Sequence, residues 1–248
     1  MQRLQAIGRG CGQRGGGVNF IREIAQLIFW HLRRCASLMM VCLKEIVRAA
    51  QDRYYDRRFG IHTCGEDDKL EERSLFKDEI LYRPTSFHRI LIMTDYLKLK
   101  PKDVFVDLGC GKGRALALVA RERLKKVIGL ELKRSLADVA QKNANHLKHA
   151  DTEVEVVQGD AITFDVREGT VFFMYHPFMY KTFTKVLQNI RESVNLNPRK
   201  IRIVYFDPCY AEVLDNEDWL VREGEIGHTK IVVWGNISPP YEGGARGG

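Results

Sequence analysis

The chain has 248 residues, 45% of them hydrophobic and 10% aromatic, which excludes wholesale disorder and allows one sizeable core plus an appendage. Its net charge of +7 resides in the first 60 residues, where eleven Lys/Arg face four Asp/Glu; beyond them, 28 basic and 28 acidic residues cancel. A catalytic region that binds nucleic acid carries its own phosphate-neutralising surface, so a nucleic-acid partner is not favoured.

Residues 8–17, G-R-G-C-G-Q-R-G-G-G, are too rich in glycine to order cheaply, and residues 1–17 are expected to be flexible. A basic amphipathic helical extension follows over 18–60, with Phe20, Ile24, Leu27, Ile28, Leu32, Cys35, Leu38, Cys42 and Ile46 near helical spacing. His31, Arg33 and Arg34 interrupt its apolar stretch, so a membrane-spanning helix is not expected. Packing on the catalytic domain is the favoured role. Contact of residues 18–50 with a membrane surface or a partner, or organelle targeting, are the alternatives.

Strands and helices alternate after the charged linker around Gly65–Arg73. Strands are expected at 104–107, 126–131, 154–158, 171–175, 201–206, 219–225 and 230–234, and helices at 86–97, 114–123, 135–149 and 183–195. Strands separated by helices imply parallel crossovers, and only Gly227-His228 separates the last two, which should form an antiparallel hairpin at one edge. The fold class is therefore α/β, a doubly wound and mostly parallel seven-stranded sheet over 61–240, with a flexible tail at 241–248. Six cysteines (Cys11, Cys35, Cys42, Cys64, Cys110, Cys209) include no C-x-x-C pair. No metal site or dense disulfide framework is expected, and reduced thiols point to an intracellular, cytoplasmic setting.

The sharpest motif is Val104-Phe-Val-Asp-Leu-Gly-Cys-Gly-Lys-Gly-Arg114: an apolar strand, a glycine-rich turn and a helix start. Gly109, Gly111 and Gly113 permit a tight turn and close approach of a ligand. The third glycine comes one residue early for a dinucleotide fingerprint, and Asp107 beside the loop would repel a pyrophosphate but welcome an ammonium. Glu131 ends the next strand and can accept from both hydroxyls of a ribose, while Asp160, in Q-G-D-A after the third, can accept from an adenine amino group. Three acids at three successive strand ends form an ordered set.

These motifs resemble those of class I S-adenosylmethionine-dependent methyltransferases. Tyr82-Arg-Pro-Thr85, D-L-G-C-G-K-G-R and Phe173-Met-Tyr-His-Pro-Phe178 further resemble a group of bacterial methyltransferase-like proteins with Y-x-P-T, D-x-G-C-G-K-G-R and N-P-F motifs. The resemblance spans roughly 75–235. It implies a Rossmann-like fold and S-adenosyl-L-methionine as cofactor. The implied binding residues are Asp107, Gly109, Cys110, Gly111, Glu131, Asp160 and Ala161, with Tyr82 and Thr85 near the methionine end.

The fourth strand delivers Tyr175-His-Pro-Phe178 to the place of transfer, with Tyr175 and Phe178 as candidate walls. Amine methyltransferases carry Asn/Asp-Pro-Pro-aromatic there; this chain has one proline and His176 where the similar proteins have Asn. His176 is a base, an orienting group or a cap on the loop. Asp207-Pro-Cys-Tyr210 is a second candidate wall or a simple proline turn. The expected activity is methyl transfer to a protein side chain or small molecule. The alternatives are an RNA methyltransferase with a basic arm, or a non-catalytic cofactor-binding protein that recruits a partner through its N-terminal helix.

Overall fold

The computed structural model describes residues 16–64, 84–227 and 229–237, in two compact units, Met1–Ala50 and Gln51–Gly248. The expectations for residues 1–15, the linker at 65–73, Tyr82, His228 and the tail at 241–248 lie outside the described residues.

The first unit is described by helix α1, Gly16–Phe59, as far as Ala50. Leu27, Ile28, Phe29, Trp30, Leu32, Leu38, Met39, Met40, Val41, Leu43, Ile46 and Val47 are all exposed on it. Among the described residues no helix is long and apolar enough to cross a membrane.

The second unit starts inside α1, because the helix changes character at its last turns. Phe59 is fully buried and stacks with Tyr55 at 5.8 Å, and both meet Phe87 of helix α2, Phe87–Leu97. Ser86 caps α2 by accepting from the Arg89 amide.

The remaining elements are β1 (Val104–Leu108), α3 (Arg114–Val119), β2 (Lys126–Glu131), α4 (Arg134–His146), β3 (Val154–Gln158) and β4 (Val171–Met174). They are followed by α5 (Tyr180–Leu196), β5 (Arg202–Phe206), α6 (Ala211–Asp215), β6 (Leu220–Glu225) and β7 (Ile231–Asn236). The seven strands form one sheet in the order β3-β2-β1-β4-β5-β7-β6, parallel except for β7, which runs antiparallel to both β5 and β6. The expected seven-stranded α/β sheet with a terminal hairpin is the fold observed. β6 is the outer strand, and β7 fills the slot beside β5.

β1 and β4 are buried on both faces, which is why they read as unbroken apolar runs. Alternate residues feed two cores. Phe105 and Phe173 pack with Phe87, Leu116 and Ala140 on one face; Val106, Leu108 and Phe172 pack with Phe183, Val186 and Leu214 on the other. From β1 the chain winds one way to β2 and β3, then returns to start β4 on the other side of β1. The crevice beyond the C-terminal ends of β1 and β4 is thus the topological switch point, where open α/β sheets bind ligands.

Helix ends are the main departures from the sequence-based ranges. α3 stops at Val119 rather than 123, because the Ala120 carbonyl accepts from the Asp151 and Thr152 amides (2.7 and 2.9 Å) instead of continuing the helix. α4 stops at His146 rather than 149, α5 begins three residues early at Tyr180, and the short α6 was not expected.

A buried ionic cluster ties the end of α1 to the start of α3. Arg114, 3% exposed, donates from Nη1 to Asp52 Oδ2 and the Thr85 carbonyl (both 2.8 Å) and from Nε to Thr63 Oγ1 (2.7 Å). Its guanidinium lies 4.7 Å from the Phe87 ring centre. Asp56 accepts from the Thr63 hydroxyl and amide and from the Cys64 amide. A buried charge is tolerated only when paired and hydrogen-bonded, and these contacts meet that demand for Arg114.

Candidate active site

The glycine-rich turn after β1 is clasped onto the end of β2. The amides of Gly109 and Cys110 both donate to the Leu130 carbonyl (2.8 and 3.0 Å), and the Gly111 amide donates to Glu131 Oε2 at 2.8 Å. Gly109, Gly111 and Gly113 have φ of +85°, +56° and +82°, the left-handed region that glycine enters without steric cost. At Gly109 close approach adds a second requirement: a Cβ there would lie 2.5 Å from Pro177 Cβ.

Asp107 stands at the end of β1, 3% exposed, and among the described residues no hydrogen bond or ion pair reaches its carboxylate. Burial first, and the neighbouring Glu131 charge second, push its carboxyl well above the usual carboxylate range. Glu131 is also buried; its Oε1 accepts from the Lys133 amide and its Oε2 from the Gly111 amide. Cys110 is buried and inert, its thiol raised well above the ordinary value by burial.

Asp160 lies two residues beyond β3 and is exposed, with Oδ1 accepting from the Ile162 amide at 2.9 Å. Ala161 is buried beside it, its carbonyl held by Asn189 of α5. Thr85 is 6% exposed, and among the described residues its hydroxyl has no hydrogen-bond partner, although its carbonyl is engaged by Arg114. A buried orphan hydroxyl, an uncompensated carboxylate and a glycine turn with room for close approach fit S-adenosylmethionine. The three acids expected to meet the ammonium, the ribose and the adenine, Asp107, Glu131 and Asp160, stand at or just beyond the ends of the adjacent strands β1, β2 and β3.

Beyond β4, Tyr175, His176, Pro177 and Phe178 are half-buried, and His176 has a φ of +47°, which a non-glycine residue adopts only when held there. His176 Nδ1 lies 2.9 Å from Tyr205 Oη, and its ring packs against Tyr210 at 5.5 Å. Burial lowers the His176 pKa, a shift that the Asp207 charge opposes. Asp207 itself is committed to Arg89, whose two Nη atoms bind its carboxylate at 3.0 and 3.2 Å. Of the Asp207–Tyr210 turn it is therefore Tyr210 that lines the His176 ring. Tyr205, Pro177 and Arg89 were not singled out from sequence; Tyr205 reads there as one more core residue of an apolar strand. Among the described residues no group of three or more His, Cys, Asp or Glu could hold a metal ion.

The raised Asp107 pKa carries a stability consequence. The unfolded carboxyl ionises near its ordinary value, whereas the folded one keeps its proton to higher pH, so native stability falls as pH rises from the first value through the second. Without ligand, Asp107→Asn should therefore melt higher than wild type at about pH 8, by about 1 kcal/mol or more, the scale of an uncompensated buried polar group. The gap should close below about pH 4, where both forms are neutral. Thermal unfolding across pH checks this; a less stable Asn variant at high pH would contradict it.

Residues 105–196 match the family described as "Methyltransferase domain". The chain is 33% identical over 90 residues to the histone-lysine N-methyltransferase, H3 lysine-79 specific, of Dictyostelium discoideum, which covers 32% of this chain and 5% of that protein. It is 30% identical over 96 residues to a protein-lysine N-methyltransferase of Saccharolobus islandicus, covering 38% of this chain and 58% of that one. The chain thus spans less than two thirds of the length of these relatives. Among solved structures, an RNA methyltransferase from Salinibacter ruber in complex with S-adenosyl-L-homocysteine aligns with a TM-score of 0.45 at 25% identity, covering 64% of this chain and 95% of that one. The stretch that matches this family, residues 105–196, runs from β1 to the end of α5 and so borders the switch-point crevice, and over it the chain is similar to a methyltransferase domain.

Proposed function

We propose that this protein transfers the methyl group of S-adenosylmethionine to a protein side chain or a small molecule. The observation that carries this reading is the contact of Gly109 with Pro177, which sets the cofactor turn directly against the loop bearing Tyr175, His176 and Phe178. When bound, the cofactor supplies an electrophilic methyl on a sulfonium, and displacement demands that the acceptor lone pair lie in line with the carbon–sulfur bond. The protein's share is alignment, which can supply most of the acceleration. Asp107 and Glu131 fix one reactant; the 175–178 loop, walled by Tyr210, positions the other.

The test uses full-length protein, tritiated S-adenosylmethionine and fractionated cell extract, with Asp107→Ala as blank. Label should enter a protein or small-molecule fraction and survive ribonuclease. Loss of label on ribonuclease treatment would make RNA the acceptor, and absence of label from every fraction would favour a cofactor-binding protein without turnover.

The helix of the first unit supports a separate proposal: it lies on an anionic membrane surface. Ile28, Leu32, Cys35, Met39, Cys42 and Ile46 recur at alternating spacings of four and three on one face, while Arg33, Ser37, Lys44 and Arg48 form a stripe opposite. Trp30 stands near that stripe, with Arg34 5.2 Å from its ring centre. Full-length protein should float with vesicles containing phosphatidylserine and not with phosphatidylcholine alone, and Arg33→Glu/Arg34→Glu should lose most of that binding. Failure to float, with self-association through the same face, would replace the membrane with a second copy.

A further inference from the structure

The hydrogen bond between His176 and Tyr205 fixes more than an orientation. Tyr205 is fully buried, and burial pushes its phenol well above the ordinary value, so Oη keeps its proton. A buried hydroxyl without an acceptor is left with an uncompensated desolvation penalty. Among the described residues, the acceptor within hydrogen-bonding distance of Oη is His176 Nδ1, at 2.9 Å. Oη therefore donates and Nδ1 accepts. A neutral imidazole carries a single N–H, and with Nδ1 engaged as acceptor the hydrogen resides on Nε2. Burial favours the neutral ring, against the opposing pull of an Asp207 already neutralised by Arg89.

We infer that Tyr205 locks His176 in its Nε2–H tautomer, so that His176 offers the methyl acceptor a hydrogen-bond donor, not a base, and the site takes an oxygen-bearing acceptor such as a planar carboxylate or enolate. This rests on the methyltransferase reading above. A donor beside the transfer point matches an oxygen with a lone pair to spare. For an amine it is mismatched: it would engage the one lone pair that must attack, and leave the amine hydrogens without an acceptor from His176. Tyr210, whose ring centre lies 5.5 Å from that of His176, is a wall suited to a flat group. His176 arrives already carrying its ring hydrogen, so it removes none from the acceptor, which enters with its attacking lone pair free. Tyr205 is a positioning residue, acting through His176.

Two-bond proton–nitrogen NMR spectra of full-length protein labelled at histidine nitrogen test the lock without any methyl acceptor, with the His176 signals assigned by His176→Asn. The expected pattern is a protonated Nε2 and a bare Nδ1 in wild type, and a mixture of tautomers in Tyr205→Phe. A protonated Nδ1 in wild type overturns the inference, whatever the fate of the Phe variant. The acceptor class is tested on the same resonance with S-adenosylhomocysteine present. Sodium benzoate, a flat carboxylate, should shift Nε2–H saturably and benzylamine should not. A saturable shift with benzylamine, or none with benzoate, overturns the acceptor class. These outcomes are separate from that of the tritium assay, where loss of the methyltransferase reading itself would appear.

Discussion

The energetic constraint around which this site is arranged is the burial of a carboxylate, Asp107, at the C-terminal end of the central strand. No described side chain compensates it, and the charge of Glu131 makes ionisation harder still. Such a group is retained at a cost in stability, and the cost makes sense where a cation arrives as ligand. The surroundings hold it in place. β1 is paired on both sides, by β2 and β4, and the turn after it is clasped to the Leu130 carbonyl and to Glu131.

The same strand end organises what lies further out. Because β4 starts on the opposite side of β1 from β2, the loops after β1 and β4 meet, and the absence of a side chain at Gly109 lets Pro177 approach. The left-handed backbone of His176 and its bond to Tyr205 then hold Nδ1 of the ring against β5. Below the turn, Arg114 opens α3 with a guanidinium bound to Asp52, Thr63 and the Thr85 carbonyl, so the segment bearing the orphan Thr85 hydroxyl is fastened to the helix that follows the glycine turn.

Much of this was legible in the sequence, and the limits have physical causes. The strands were readable because parallel strands covered on both faces become apolar runs, and the acids of the site because each interrupts or ends such a run: Asp107, Glu131 and, just beyond its strand, Asp160. The contacts between distant segments were not. Arg114 and Asp52 are 62 residues apart, and nothing local to either marks the pair. Tyr205 sits in Ile203-Val-Tyr-Phe206, where an aromatic residue in an apolar run looks like packing; its hydroxyl gains meaning only when β4 and β5 are neighbours. Helix ends were misjudged where a tertiary contact captured a carbonyl, as at Ala120. The exposed apolar face of α1 was visible as a pattern, but a helical period does not say what covers it.

Calorimetric titration of S-adenosylmethionine into the full-length protein tests the central claim most directly. One site per chain should be found, with affinity about tenfold or more weaker in Asp107→Ala and in Glu131→Ala, each loss amounting to about 1.4 kcal/mol or more. No binding by the wild-type protein, or equal affinity in all three, would contradict the account.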